Sequence, residues 1–261
     1  TFNMLTQNER LQNLMPPMAL HSDTTPCVIR GEGCYLYTED GRKILDFASG
    51  IACNALGHCH PKIIAAAEKQ LHTLIHAGHN VLYYEPYTTL VEKLVEKTGG
   101  KYKVYFSNAG AEANEGAMKL AKYATHRPVI ISMKNAFHGR TMATATITTS
   151  NAAYRKYYEP MMPSVYFAEY PYLFRTPYKM EDGKCPKEYM TQFDDLFKKV
   201  VDPSMVAGII MEPIQGEGGY VVPPVEWLQY VRDLCDKHGI LLIFDEVQSG
   251  FGRTGSLFAW Q

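Results

Sequence analysis

With 261 residues, 46% of them hydrophobic and 20% charged, the chain is long and apolar enough to bury a full core. A formal net charge of -1 leaves no electrostatic footprint for nucleic acid or an anionic membrane surface, and no apolar run reaches the length of a membrane span. The first residues lack the basic-then-apolar layout of a secretory signal, and the six cysteines show no C-x-x-C spacing, so they read as reduced thiols of a cytoplasmic protein.

In chain order, residues 6–15 hold one short helical pattern, ended by Pro16-Pro17. From Val28 to Phe47 the pattern alternates, with strand-like pieces at 34–37 and 43–47 separated by Glu39-Asp40-Gly41. Asp-Gly between such runs signals an antiparallel hairpin. Gly57-His58-Cys59-His60-Pro61 looks at first like a metal site. It reads better as a turn with Pro61 opening a helix, since no second ligand pair follows at zinc spacing. That helix, residues 61–76, gathers Ile64, Ala67, Leu71, Leu74 and Ile75 on one face. His72, His76 and His79 recur at helical spacing, but no carboxylate joins them, and no metal is expected. A second amphipathic helix spans 86–98 and closes at Gly99-Gly100.

Val104-Tyr105-Phe106 reads as a short strand, followed by Ser107-Asn108-Ala109-Gly110-Ala111-Glu112 and an alanine-rich helix. Small residues between a strand end and a helix start leave several backbone N–H groups free to meet an anion. The lysine of a P-loop is missing, and an ordinary strand-to-helix turn has the same appearance. Residues 128–133 form another buried strand, followed by Phe137-His138-Gly139-Arg140. There an aromatic ring could stack on a flat cofactor and a guanidinium could grip a carboxylate. Residues 170–190 read as a long loop and 192–201 as a helix. A strand at 206–211 runs into Glu212-Pro213-Ile214-Gln215-Gly216-Glu217, and a helix at 226–238, capped by Gly239, returns the chain to its last strand.

That strand, Ile240-Leu241-Leu242-Ile243-Phe244, is an unbroken apolar run of the kind buried on both faces of a parallel sheet. It ends on Asp245-Glu246-Val247-Gln248. Gly250, Gly252 and Gly255 spell G-x-G-x-x-G, yet the first glycine does not follow the strand directly and no helix opens at the third. They shape a loop rather than a dinucleotide site. Alternating strands and helices imply a mostly parallel α/β sheet whose strand ends share one edge. The polar groups at 107–112, 137–140, 212–217 and 245–248 would then converge on one pocket.

These motifs, in this order, resemble the class III, pyridoxal-phosphate-dependent aminotransferases, most closely the 4-aminobutyrate branch. The resemblance runs essentially end to end, from Asp46-Phe47 and Gly57-His58 through 107–114, 137–141, 212–219 and 245–248 to 250–255. It implies a fold type I α/β architecture, a mostly parallel sheet flanked by helices with a small N-terminal antiparallel segment. Residues 1–56 would belong to the small domain and 57–261 to the cofactor-binding large domain, incomplete at its C-terminus. It further implies that Gly110 and Ala111 give amides to the phosphate of pyridoxal 5′-phosphate. Phe137 and Val247 would cover the two ring faces, His138 would join the cofactor site, Asp245 would pair with the ring nitrogen, and Gln248 would bond the ring hydroxyl. Arg140 would bind a substrate carboxylate, Glu212 and Glu217 would line the substrate site, with Glu217 holding or releasing a second arginine, and Ile51 would line the donor pocket.

The partners so implied are an amino acid, a 2-oxo acid and a second copy of the chain as a homodimer. In the family the lysine that forms the Schiff base lies a few tens of residues past the aspartate of D-E-V-Q, and here only sixteen residues follow Asp245. The expectation is therefore the N-terminal part of a longer enzyme, inactive by itself. Other readings are an acetylornithine or ornithine aminotransferase, a racemase on the same scaffold, or a non-catalytic cofactor-binding fragment.

Overall fold

The computed structural model describes residues 14, 25–180 and 183–261. Apart from Leu14, the helix expected at 6–15 lies outside the described residues. The chain divides into two compact units, Thr1–Glu92 and Lys93–Gln261.

In the first unit, β1 (Val28–Glu32), β2 (Tyr35–Thr38) and β3 (Lys43–Leu45) form an antiparallel meander. The expected hairpin turn is present: Gly41 takes φ 84° and donates its N–H to the Thr38 carbonyl at 3.0 Å. The histidines of the Gly57–Pro61 turn are occupied with local work. His58 Nε2 lies 2.7 Å from Asp46 Oδ2, and His60 Nδ1 accepts the Lys62 N–H at 3.3 Å, capping α1 (Pro61–Thr73). Helix α1 ends at Thr73, short of the expected residue 76, because Leu74 is extended; its apolar face stays outside any core, with Leu71 62% exposed. Helix α2 spans Glu85–Lys97.

The second unit holds α3 (Gly110–Thr125), β4 (Val129–Met133), α4 (Met142–Ile147), β5 (Val165–Ala168), α5 (Glu188–Lys199), β6 (Val206–Met211), α6 (Val225–His238) and β7 (Leu241–Phe244). Its sheet has the order β5-β4-β6-β7 and every pairing is parallel. Alternation along the strands divides the core between the two faces. Val129, Ile131, Met133, Ile209 and Met211 pack with Phe193 of α5 and with Trp227 and Val231 of α6, whereas Ile130 and Ile210 pack with Met118 and Ala121 of α3 and Ile147 of α4. Alanines give α3 both helix propensity and a close approach to the sheet. Gly208 marks that approach: a Cβ there would stand 3.5 Å from the Ala121 Cβ and 3.1 Å from the Leu241 carbonyl oxygen. At the amino ends of β6 and β7 the Arg127 guanidinium donates to the carbonyls of Val206, His238 and Gly239 at 3.0–3.1 Å, and Gly239 (φ 63°) caps α6 as expected.

Three expectations are corrected. Residues 104–106 form no strand, since they find no ladder partner among the described residues, whereas β5, not foreseen, pairs with β4. The final strand is not buried on both faces: β7 stands at an edge of the sheet, and Leu241 is 40% exposed. Helix α5 begins at Glu188, earlier than the expected residue 192.

Candidate active site

Because the four strands are parallel, the segments after β4, β6 and β7 leave the sheet along one edge, where ligands of open α/β sheets bind. Glycines mark where these segments touch. A Cβ on Gly139 (φ 125°) would stand 2.7 Å from the Ala111 Cβ, and one on Gly110 would meet Val247 Cγ2 at 2.7 Å. On Gly216 it would strike Gln248 Oε1, and on Gly218 the Asn135 carbonyl oxygen. Side-chain-free positions thus bring the starts of α3 and of the segments after β4, β6 and β7 together.

Asp245 lies at their centre, 7% exposed. Its Oδ2 sits 2.8 Å from His138 Nδ1 and accepts the Asn114 amide at 2.8 Å, while Oδ1 accepts the Val247 N–H at 3.1 Å. Burial pushes the Asp245 carboxyl upward most strongly; the His138 ring, the Asn114 amide and the Val247 N–H together outweigh it and hold the group below its ordinary value. The carboxylate is kept ionised in a buried place. His138 Nε2 is buried with no hydrogen-bond partner among the described residues. The loop carrying His138 is stitched down by Thr148, whose hydroxyl accepts the His138 N–H at 2.9 Å and donates to the Gly139 carbonyl at 3.0 Å.

Glu212, also 7% exposed, receives the Phe137 N–H on Oε2 at 3.2 Å and the Gly216 N–H on Oε1 at 3.0 Å. Both of its oxygens tie loops together, where the resemblance implies a group lining the substrate site. Burial raises its carboxyl, opposed by the Gly216 N–H, the His138 ring and the Phe137 N–H, with Asp245 adding to the rise. Tyr170 fixes the same turn by donating to the carbonyls of Glu212 and Pro213 at 3.0 and 3.1 Å.

At the start of α3, Ala109 is an extended N-cap with no side-chain cap, so the first amides of the helix, Gly110 and Ala111 among them, lack a capping acceptor there. Val247 is 69% exposed and Phe137 half-buried, its ring meeting Tyr154 edge-on at 5.4 Å. Arg140 and Glu217 are exposed. Gly250, Gly252 and Gly255 lie in successive turns without a following helix, and Glu246 secures that stretch by accepting the N–H groups of Ala259 and Trp260 at 2.7 and 3.0 Å. Ile51 belongs to the first unit, where it takes φ 59° and is 77% exposed. Asn114, Thr148 and Tyr154 escaped the reading of the sequence. Asn114 carries the only usable signal, a polar residue one and two turns before the apolar Met118 and Ala121 on the buried face of the helix.

The model of the family described as "Aminotransferase class-III" matches residues 18–261. The chain belongs to the class-III aminotransferases. The probable 4-aminobutyrate aminotransferase of Bacillus subtilis is 41% identical over 233 residues, 88% of this chain and 53% of that protein. The acetylornithine aminotransferase of Methanocaldococcus jannaschii is 41% identical over 240 residues, 90% of this chain and 54% of that protein. Among solved structures, the taurine:2-oxoglutarate aminotransferase of Bifidobacterium kashiwanohense, in complex with PLP and glutamate, superposes with a TM-score of 0.88 at 30% identity, covering 98% of this chain and 59% of that one. This class-III chain therefore has the fold type I architecture, and its family is pyridoxal-phosphate-dependent. It spans about half the length of the curated relatives it matches. Among the described residues, no helix is long and apolar enough to cross a membrane.

Proposed function

We propose that the whole protein transfers an amino group from an ω-amino acid of the 4-aminobutyrate kind to 2-oxoglutarate, with pyridoxal 5′-phosphate held along the edge described above. The observation that carries the reading is the buried, ionised Asp245 carboxylate beside an uncapped helix start.

The residues present fit that cofactor. A protonated ring nitrogen needs a buried anion that stays ionised, and Asp245 is held below its ordinary value by His138 and Asn114. A phosphate dianion needs convergent N–H groups and a helix N-terminus, which the Gly110–Ala111 start of α3 offers. A flat ring needs apolar faces, which Phe137 and the exposed Val247 side chain would give, and Gln248, seated against Gly216, would bond the ring hydroxyl. When bound, the cofactor supplies an electron sink for the substrate carbon bearing the amino group. The chain's own share is positional and electrostatic. Asp245 would keep the ring nitrogen protonated, Arg140 would orient the substrate through its carboxylate, and Glu212 would fix the loop that carries Phe137.

The 4-aminobutyrate relatives of Bacillus subtilis and Escherichia coli support the donor, and the family resemblance adds Ile51, at a position where it implies tyrosine in ornithine-specific relatives. Acetylornithine aminotransferases are equally similar at 41–42% identity, which favours N-acetylornithine as the second donor to consider. The deciding assay offers the whole holoenzyme 4-aminobutyrate, N-acetylornithine and ornithine in turn with 2-oxoglutarate, and measures glutamate. The proposal expects the highest kcat/KM with 4-aminobutyrate. A preference for N-acetylornithine would replace the donor, and turnover of one enantiomer without a keto acid would replace the reaction.

A further inference from the structure

The four-residue helical turn Ser49–Ala52 winds against the hand that L-amino acids prefer. Ser49, Gly50, Ile51 and Ala52 take φ of 51°, 62°, 59° and 64°. Left-handed backbone brings Cβ against the following carbonyl oxygen, so residues other than glycine enter it singly, and a β-branched residue there is an outlier. Such a run persists only where its surroundings over-determine it. Asp46 fixes the entry: its Oδ1 accepts the N–H groups of Ala48 and Ser49 at 3.0 and 2.8 Å. Further on, the Ala52 N–H donates to the Ala48 carbonyl at 3.0 Å and the Asn54 N–H to the Ser49 carbonyl at 2.9 Å. The Ser49 hydroxyl donates to the Asn54 carbonyl at 2.9 Å.

Asp46 is in turn held from the meander. Its N–H donates to the Cys34 carbonyl at 2.8 Å, and its Oδ2 lies 2.7 Å from His58 Nε2. His58 exchanges both backbone hydrogen bonds with Gly33, at 3.1 and 2.8 Å. Its ring lies so close to Gly31 of β1 that a Cβ on that glycine would stand 2.8 Å from the His58 Cγ. A line of contacts thus runs from the meander through His58 and Asp46 to the turn, and ends at the exposed Ile51 side chain. This gives the Gly57-His58 motif a use other than metal binding.

We infer that Asp46, backed by His58, is a positioning residue that keeps Ser49–Ala52 left-handed and so sets where Ile51 presents its side chain to the amino donor. The inference rests on the reading of Ile51 as a donor-pocket residue. Without the Asp46 acceptor the entry is unpinned, the strain is relieved by rewinding the turn, and Ile51 moves.

The test compares variants of the whole holoenzyme by two readouts. One is hydrogen-exchange protection, by mass spectrometry, of the peptide holding residues 48–54; the other is the ratio of kcat/KM for 4-aminobutyrate to that for ornithine. Asp46→Ala is expected to lower protection about tenfold and the ratio about fivefold, the scale of losing bonds to a charged acceptor. Asp46→Asn still offers an acceptor oxygen to Ala48 and Ser49 and is expected to keep most of both. Ala52→Gly separates stored strain from ordinary looseness. Glycine usually loosens a helical turn, yet here it is expected to raise protection, because it removes a Cβ that φ 64° penalises.

Unchanged protection in Asp46→Ala, or lower protection in Ala52→Gly, would overturn the inference. So would a donor ratio that Ile51→Ala shifts and Asp46→Ala leaves alone. Should Asp46→Ala fail to fold, His58→Phe keeps a ring against Gly31 and drops the bond to Asp46. It is expected to move both readouts in the same direction, and no movement in either would overturn the inference. Failure of the underlying reading has its own signature: Ile51→Ala would leave the donor ratio unmoved. Protection of the turn in Asp46→Ala then decides by itself whether Asp46 holds it.

Discussion

Replacing Asp245 with asparagine keeps its shape and removes its charge, so it isolates what the ionised carboxylate contributes. In the parent, Oδ2 serves His138 and Asn114, both at 2.8 Å, and Oδ1 accepts the Val247 N–H at 3.1 Å. An asparagine can present only one acceptor oxygen. If it faces His138 and Asn114, the new NH2 group points at the Val247 N–H and that bond is lost, a cost of about 1 kcal/mol. The two remaining bonds become neutral, each weaker by about 1 kcal/mol, and the smaller cost of burying an amide offsets part of the loss. A net destabilisation of about 2–3 kcal/mol follows, or a fall in Tm of about 4–12 °C for a unit of this size.

The pH dependence has a definite sign. A carboxyl held below its unfolded value gives stability that is present above that value, ordinarily 3.8, and is lost as pH falls through the lower folded one. The gap between parent and Asp245→Asn should therefore be full at pH 7 and narrow only in strong acid. Urea unfolding followed by the fluorescence of Trp227, fully buried against Tyr170, reads both quantities. A variant as stable as the parent at pH 7, or a gap that widens on acidification, would refute the reasoning.

Gly139→Ala should cost at least about 3 kcal/mol, because the residue holds φ 125° and a Cβ would stand 2.7 Å from the Ala111 Cβ and 3.1 Å from its Cα; thermal unfolding checks it, and an unaltered Tm would show that the loop can move away. Arg127→Met should lose about 2–3 kcal/mol, since three carbonyl oxygens at the ends of β6 and α6 lose a charged donor, and denaturant titration measures it. Native thiols should divide by burial. Cys34, Cys53 and Cys59 are exposed and should react quickly with a disulfide reagent at pH 8. Cys185, raised to about 11 by burial and then Glu226, and Cys235, raised to about 12 chiefly by burial, should react only on unfolding, as peptide mapping of the labelled protein would show.

What could be read from the sequence was whatever a local pattern dictates. The apolar runs at 128–133, 206–211 and 240–244 could be read as strands because they are short, largely apolar and bounded by turn residues, and the glycine after His238 marked a helix cap. Val165–Ala168 escaped because an edge strand is half-exposed, so its four residues carry no clean pattern. Residues 104–106 misled for the converse reason: three β-prone residues in a row say nothing about whether a neighbour is there to pair with. The loops after the strands could be named as site elements by their polarity and position. Their internal order could not, because it depends on bonds between distant parts of the chain, such as Asn114 to Asp245 and Glu212 to the Phe137 N–H.

On the proposed function, the edge carrying Asp245, Gly110 and Phe137 is a cradle for pyridoxal 5′-phosphate. Its most direct test is an equilibrium ultrafiltration titration of the purified protein with that compound at pH 7, parent beside Asp245→Asn, at a temperature where both are folded. The parent should take up one equivalent saturably, with affinity weakened about tenfold or more when the buried anion is removed. Equal affinity in the two proteins, or no saturable uptake by the parent, would contradict it.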